Sequence, residues 1–298
     1  MSVTVVGSIA LDTIETPWGR NEEGLGGAAT YFSIAAANYT KVHIVGVVGQ
    51  DFPAQHIELL EKKHIDTAGL EVAPGKTFRW TGRYHQDINH RDTLDTQLNV
   101  FQEFHPKLPQ PARDAEFLFL GNIHPTLQLE VLDQSKAKFV ALDTMNLWID
   151  TTPEALQQVL ARVNALIIND SEVKALTGVP NIVEGAEIIR DLGPRIVVVK
   201  KGEHGCLLFN EEKMFAAPAF PLKLVVDPTG AGDTFAGGFM GLIAKTQNTE
   251  DKTLRQAVIH GSIVASFTCE AFGPERLAQI DANIITERYT AFRNLTSF

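Results

Sequence analysis

Asp227-Pro228-Thr229-Gly230-Ala231-Gly232-Asp233-Thr234-Phe235 is the stretch on which the reading of this chain turns. An apolar run, Leu222–Val226, leads into it as a strand would, and a small-residue run, Thr234–Ala244, leads out as a helix. Between them, Gly230 and Gly232 permit a tight turn and leave amides unshielded. A helix N-terminus with free amides is a ready anion site. Asp233 puts a carboxylate in that place, where it would repel a bound phosphate unless it has chemistry to do. Proton abstraction supplies the reason: Asp233 takes the proton of a hydroxyl while the amides of Gly230, Ala231 and Gly232 hold the phosphoryl group it attacks.

Outward from this turn, apolar strands alternate with helical patterns. The strands expected are Val3–Gly7, Val42–Val48, Phe117–Leu120, Phe139–Leu142, Ala165–Ile168 and Arg195–Lys200. The helices expected are Ala28–Asn38, Phe52–His64, Pro125–Gln134, Pro153–Arg162, Ser171–Thr177 and Val183–Leu192. Such alternation predicts an α/β fold with a mostly parallel, buried central sheet. Cys206–Phe209 and Lys213–Ala217 read as a hairpin across Asn210-Glu211-Glu212, and the last third reads as helices at Thr234–Lys245, Thr253–Glu270 and Asp281–Asn294. Residues 77–104 break the pattern. They are polar, alternate in character, and predict two or three exposed strands outside the main sheet. Such a sheet suits a lid that excludes water from a reactive site, with a plain surface hairpin as the bland reading.

Composition narrows the partners. The 298 residues are 44% hydrophobic, enough for a sizeable core, with a formal charge of −10 and a pI near 5.4. That balance argues against nucleic-acid or anionic-membrane binding, because no broad field attracts phosphate. Two cysteines, Cys206 and Cys269, are too few for a disulfide scaffold or a cysteine-based zinc site, and both sit in apolar runs. His85, His90, His105 and His124 lack metal-ligand spacing. The opening residues, Met1–Gly7, read as a strand and not a secretory signal, and no apolar run reaches spanning length, so a cytoplasmic location is expected.

The quoted turn also carries a family resemblance. It is similar to the C-terminal signature of the ribokinase-like, or PfkB, carbohydrate kinases, D-[TP]-[TN]-G-A-G-D, with every core position filled. The resemblance implies a ribokinase-like three-layer sandwich, a single domain over 1–298, with a small β-sheet lid formed by about 13–25 and 74–105. It implies ATP and Mg²⁺ as cofactors, leaves room for a monovalent cation, and allows a homodimer through the lid. The activity implied is transfer of the γ-phosphate to a hydroxyl of a small sugar or ribonucleoside, with Asp233 as the base. A non-catalytic nucleotide- or sugar-binding protein of the same fold is the alternative, disfavoured by the intact Asp233. A dehydrogenase is disfavoured because no G-x-G-x-x-G follows the first strand.

Site residues follow by position. Asp12, at the close of the first strand, suits substrate hydroxyls, and the family has an aspartate there for that purpose. Gly26 and Gly27 resemble the family's double glycine before a helix. Ala10 and Tyr31 stand where the family usually has asparagines, which suggests a less hydrophilic pocket with an aromatic face. Stacking on a base could also come from Phe78, Trp80 and Tyr84. Asn122 is placed to face the substrate. Asn169 and Glu172 match the family's N-x-x-E, with Asn169 toward phosphate and Glu172 toward a water of hydrated Mg²⁺, although the same residues spell a helix cap. Lys200 or Lys201 would neutralise phosphate, Gly202 and Gly205 would let the backbone approach the nucleotide, and Thr229 lies within the anion turn. His260 falls where the family forms its adenine pocket and reads equally as a core histidine.

Overall fold

The computed structural model describes residues 1–211 and 213–297, so Glu212, in the turn expected between the two hairpin strands, lies outside the described residues. Among the described residues the strands are β1 (Ser2–Val6), β2 (Ala10–Thr16), β3 (Gly19–Gly26), β4 (Lys41–Gly49), β5 (Ile65–Ala73), β6 (Phe78–Tyr84), β7 (Arg91–Gln97), β8 (Phe117–Leu120), β9 (Phe139–Asp143), β10 (Ala165–Asn169), β11 (Ile196–Lys200), β12 (Cys206–Asn210) and β13 (Lys213–Ala217). Nine of them form one sheet in the order β13-β12-β11-β10-β9-β8-β1-β4-β5. From β11 to β5 every pairing is parallel, and β12 and β13 close one edge antiparallel.

Burial on both faces explains the continuous apolar strands. In β11, Val198 faces one core while Val197 and Val199 face the other; in β10, Ile167 opposes Leu166 and Ile168 in the same way. The first core is filled by helices Ala28–Ala36, Ala231–Thr246 and Asp251–Thr268, the second by Pro125–Gln134, Pro153–Leu160 and Ile182–Asp191. This is the expected α/β layering, with helices on both sheet faces.

Two local expectations are corrected, and one strand is found where none was expected. Leu222–Val226 is not a strand. Pro218, Pro221 and Pro228 flank it without amide donors, and the Val226 amide donates instead to the Cys269 carbonyl (2.8 Å). The polar segment Ile65–Ala73 is a strand, β5, at the sheet edge, where pairing on one side tolerates polar residues. Asp12 does not end the first strand: β1 stops at Val6, and Asp12 lies in β2.

The second sheet runs β3-β2-β6-β7, with β2 and β6 parallel and the outer pairs antiparallel. It therefore joins the β2–β3 hairpin to the strands expected from 77–104. A stack of Phe78 on Phe101 (5.2 Å between centroids) and Phe101 on Phe104 (5.7 Å) roots it in the main body, where Phe104 is buried. Every residue of β7 is exposed. Among the described residues no helix is long and apolar enough to cross a membrane.

Candidate active site

Asn169, Lys200 and Asp143 end the parallel strands β10, β11 and β9, and the Gly230 turn opens helix Ala231–Thr246 beside them. Carboxyl ends of parallel strands are where open α/β sheets bind ligands. Gly230 has φ +75, a left-handed conformation that favours glycine, and a Cβ there would run into the Tyr31 ring. Asp227, fully buried, pins the turn: its carboxylate accepts from the amides of Thr229 (2.9 Å) and Gly273 (3.2 Å). The Ala231 amide, expected to face an anion, donates to the Pro228 carbonyl (3.1 Å), which leaves the amides of Gly230 and Gly232 for that work. No side chain caps this helix start.

Asp233 lies in the first turn of that helix. Its carboxyl is pushed up to about 7, first by burial and then by the charge of Asp143, with Lys200 opposing. Lys200 sits at the centre. Its Nζ lies 3.5 Å from Asp143 Oδ1, and a Cβ on Gly232 would stand 3.0 Å from the same Nζ. Burial favours the neutral amine, but the carboxylates of Asp143, Glu172 and Asp233 outweigh it and hold Lys200 charged. Glu172 is buried and raised to about 7, by burial first and Asp143 second. Asn169 and Glu172 form a reciprocal helix cap: Asn169 Oδ1 accepts from the Glu172 amide (2.9 Å), and Glu172 Oε2 accepts from the Asn169 amide (3.0 Å). That leaves Glu172 Oε1 outside the cap.

Asp12 faces this cluster from β2. Its carboxylate rests on Gly26, where a Cβ would displace it, and its Oδ1 is buried without a hydrogen-bond partner. Burial, then the charges of Asp227 and Asp233, raise its carboxyl to about 7. Gly27, at φ +92, starts helix Ala28–Ala36 against the Ser8 carbonyl. Tyr31 is 1% exposed, with its ring under Gly230, and burial followed by Asp227, Asp12 and Asp233 keeps its hydroxyl protonated. Its ring face is thus covered by the turn, and the hydroxyl is the part near the carboxylates.

The face of the small sheet that carries Asp12 also carries Trp80 and Tyr84, because Asp12 pairs with Trp80 and side chains alternate along a strand. Tyr84 accepts a hydrogen bond from Thr229 Oγ1 (3.1 Å), tying this sheet to the anion turn. Trp80 lies over Gly82, and Arg91, paired with Tyr84, sits 5.0 Å from the indole centroid. Phe78 is committed to Phe101.

Other expected residues have partners of their own. Asn122 spends its amide on Trp148 Nε1 (2.7 Å) and Met145 Sδ (3.1 Å). His260 bonds Tyr39 Oη (3.0 Å) and stacks on Tyr289, and burial lowers it to about 4, so its environment is that of a core histidine. Gly202 and Gly205 both have positive φ in the loop after β11, and Lys201 donates its amide across that loop to Gly205 (2.7 Å). The loop also meets the small sheet, through Asn89 Nδ2 and Glu203 Oε1 (3.4 Å). Asp143 and Arg91 were not singled out in the sequence, and Asp227 was quoted in the motif without a role of its own. Asp143 ends a strand as Asn169 and Lys200 do, a position that takes on meaning only once the sheet brings them together.

Among the described residues no group of three His, Cys, Asp or Glu side chains could hold a metal ion alone. A hydrated Mg²⁺ arriving with phosphates needs only one or two carboxylates, and Glu172, with Oε1 outside the cap, fits that requirement.

Residues 2–280 match the model of the pfkB family carbohydrate kinases. A cytidine kinase of Thermococcus kodakarensis is 30% identical over 260 residues, covering 84% of this chain and 91% of that protein. An inositol 3-kinase of Arabidopsis thaliana is 27% identical over 290 residues, covering 91% of this chain and 74% of that protein. The adenosine kinase structure from Sinorhizobium meliloti shares the fold with a TM-score of 0.81 over 97% of this chain and 99% of that one, at 15% identity.

Proposed function

This chain belongs to the pfkB family of carbohydrate kinases, and from that membership we propose a residue-level account of how it phosphorylates its acceptor. It is a kinase that moves a phosphoryl group onto a hydroxyl of a sugar or nucleoside. The observation that carries the account is Asp233: a carboxylate raised to about 7 stands over the Gly230–Gly232 turn and beside Lys200. A base of that strength holds a useful unprotonated fraction near neutral pH and takes a hydroxyl proton readily. Amides and an ammonium answer the charge that develops on the phosphoryl oxygens.

ATP is the donor in this reading, with its phosphates facing the turn and Lys200 together and its nucleoside along the Gly202–Gly205 loop. Mg²⁺, near Glu172, supplies charge neutralisation on those phosphates. Asp12 orients the acceptor by accepting from its hydroxyls. The small sheet acts as the lid, with Tyr84 latched to Thr229.

The acceptor proposed is a ribonucleoside. Trp80, with the Arg91 guanidinium over its ring, gives the lid's inner face a stacked indole and planar cation, which suit a base better than a bare sugar. The likeness to a cytidine kinase supports the same choice. The test is ATP consumption with cytidine, adenosine, inosine, ribose, fructose and inositol. A nucleoside should win in kcat/KM by about tenfold or more, as one lost stacking contact of roughly 1–3 kcal/mol implies. A free sugar or inositol winning by that margin would reject the nucleoside assignment. Asp233→Asn, run on the preferred acceptor, should lower kcat by about 10²–10⁴-fold. Near-normal turnover would remove Asp233 as the base.

A further inference from the structure

Lys200 is the one cation among four ionisable side chains at the phosphoryl end of the site, and its place needs an explanation. Of the three carboxylates around it, Asp233 must stay free for the acceptor proton, and Glu172 spends Oε2 on the Asn169 amide. Asp143 has no such duty. Its Oδ1 is buried, has no hydrogen-bond partner, and lies 3.5 Å from Lys200 Nζ. That separation is within ion-pair range but too long for a charged hydrogen bond, which runs about 2.7–2.9 Å. The same ammonium also stands close to Gly232, where a Cβ would lie 3.0 Å from Nζ.

We propose that Asp143 is a positioning residue for phosphoryl transfer, one that holds the Lys200 ammonium against the Gly232 turn with its donors free for the transferred group. The inference rests on the kinase reading above. A tight Lys–Asp bond would consume a donor and compete with phosphate; no carboxylate at all would leave Lys200 to pair with Asp233 and silence the base. Asp143 prevents both: it fixes the cation by field, without claiming its protons. A γ-phosphoryl oxygen then completes the coordination of the ammonium as charge builds up on it.

The test compares Asp143→Asn, Lys200→Met and the double variant with wild type, by kcat and by calorimetric affinity for ADP and for the non-hydrolysable analogue AMP-PNP. Lys200→Met should cost about 10²–10³-fold in kcat, the usual loss for one transition-state donor. Asp143→Asn should cost about tenfold or more. The double variant should match Lys200→Met within about threefold, because a residue acting only through Lys200 has nothing left to position. AMP-PNP affinity should fall about tenfold in Asp143→Asn, which is about 1.4 kcal/mol, while ADP stays within about twofold. Losses that multiply in the double variant, or equal weakening of both nucleotides, would overturn the proposal. If Asp143→Asn does not fold because it strands a buried cation, Lys200→Met against the charge-neutral double variant still decides it. The nucleotide comparison needs no acceptor, so failure of the acceptor assignment and failure of this inference are separable.

Discussion

Asp233, Asp12 and Glu172 are carboxyls raised to about 7 in one cleft, each chiefly by burial. For Asp233 the catalytic consequence is an acid limb in the kcat/KM profile near pH 7, with activity lost as the base is protonated below it. A limb near pH 4 would show that the carboxyl is solvated in the working enzyme. Asp12 has a stability consequence whose sign is fixed by linkage. Its folded value lies above the unfolded value of 3.8, so ionising it in the fold costs energy. That cost is absent below about pH 4, grows to about pH 7 and is constant above. Asp12→Asn should therefore stabilise the substrate-free protein by about 4 kcal/mol at pH 8 and by almost nothing at pH 4. It should also raise the acceptor KM far more than the ATP KM, by about tenfold or more for a lost charged hydrogen bond. A melting temperature unchanged at pH 8, or equal effects on both substrates, would assign Asp12 a structural role. At this scale the sequence was legible where a residue sits inside a long motif. Asp233 and Gly230 were readable because their neighbours fix a turn. Asp143 was not, since a lone acid at a strand end acquires meaning only when Lys200, two strands away, is brought beside it.

The helix start at Gly230 is the element on which the chemistry stands, and its backbone has no tolerance for a side chain. Gly230→Ala would place a methyl against Tyr31 in a left-handed conformation, which costs about 1 kcal/mol before the clash. The expected outcome is a kcat reduced by about 10²-fold with a lowered melting temperature. Full activity would mean that the turn shifts freely. Tyr84→Phe tests the other side of this element. It removes the Thr229 bond and should raise the acceptor KM by about tenfold, while the circular dichroism spectrum stays native. An unchanged acceptor KM would remove Tyr84 from the lid latch. The elements themselves were largely readable, because parallel strands buried on both faces are continuous apolar runs. Misreading came where burial was one-sided or absent. Strand β5, at an edge, hid behind its polar residues, and Leu222–Val226 looked like a strand although flanking prolines deny it partners. Asp12 was placed on the wrong strand, since nothing local to Gly7–Ala10 says where one sheet ends and the other begins.

For the whole molecule, the layering of helices around a parallel sheet followed from alternation alone, and the polar 77–104 stretch was readable as a separate sheet. What composition could not give was the pairing of that stretch with β2, a contact between residues 68 apart in sequence, such as Ala10 and Phe78. The small sheet carries Asp12 on one strand, meets the anion turn through Tyr84 on another, and reaches the loop after β11 through Asn89 and Glu203. In the proposed reaction one sheet therefore touches the sites of both substrates. The two substrates become thermodynamic partners: whatever factor the acceptor contributes to AMP-PNP affinity, AMP-PNP must return to acceptor affinity, because binding free energies close a cycle. Titrations in both orders should give the same factor, of roughly 5–150-fold for a coupling of 1–3 kcal/mol. A factor of one would mean that the sheet answers to neither ligand. With synergy of that size, a cell that runs short of acceptor loses little ATP to water, since the donor is held firmly only when there is something to receive its phosphate.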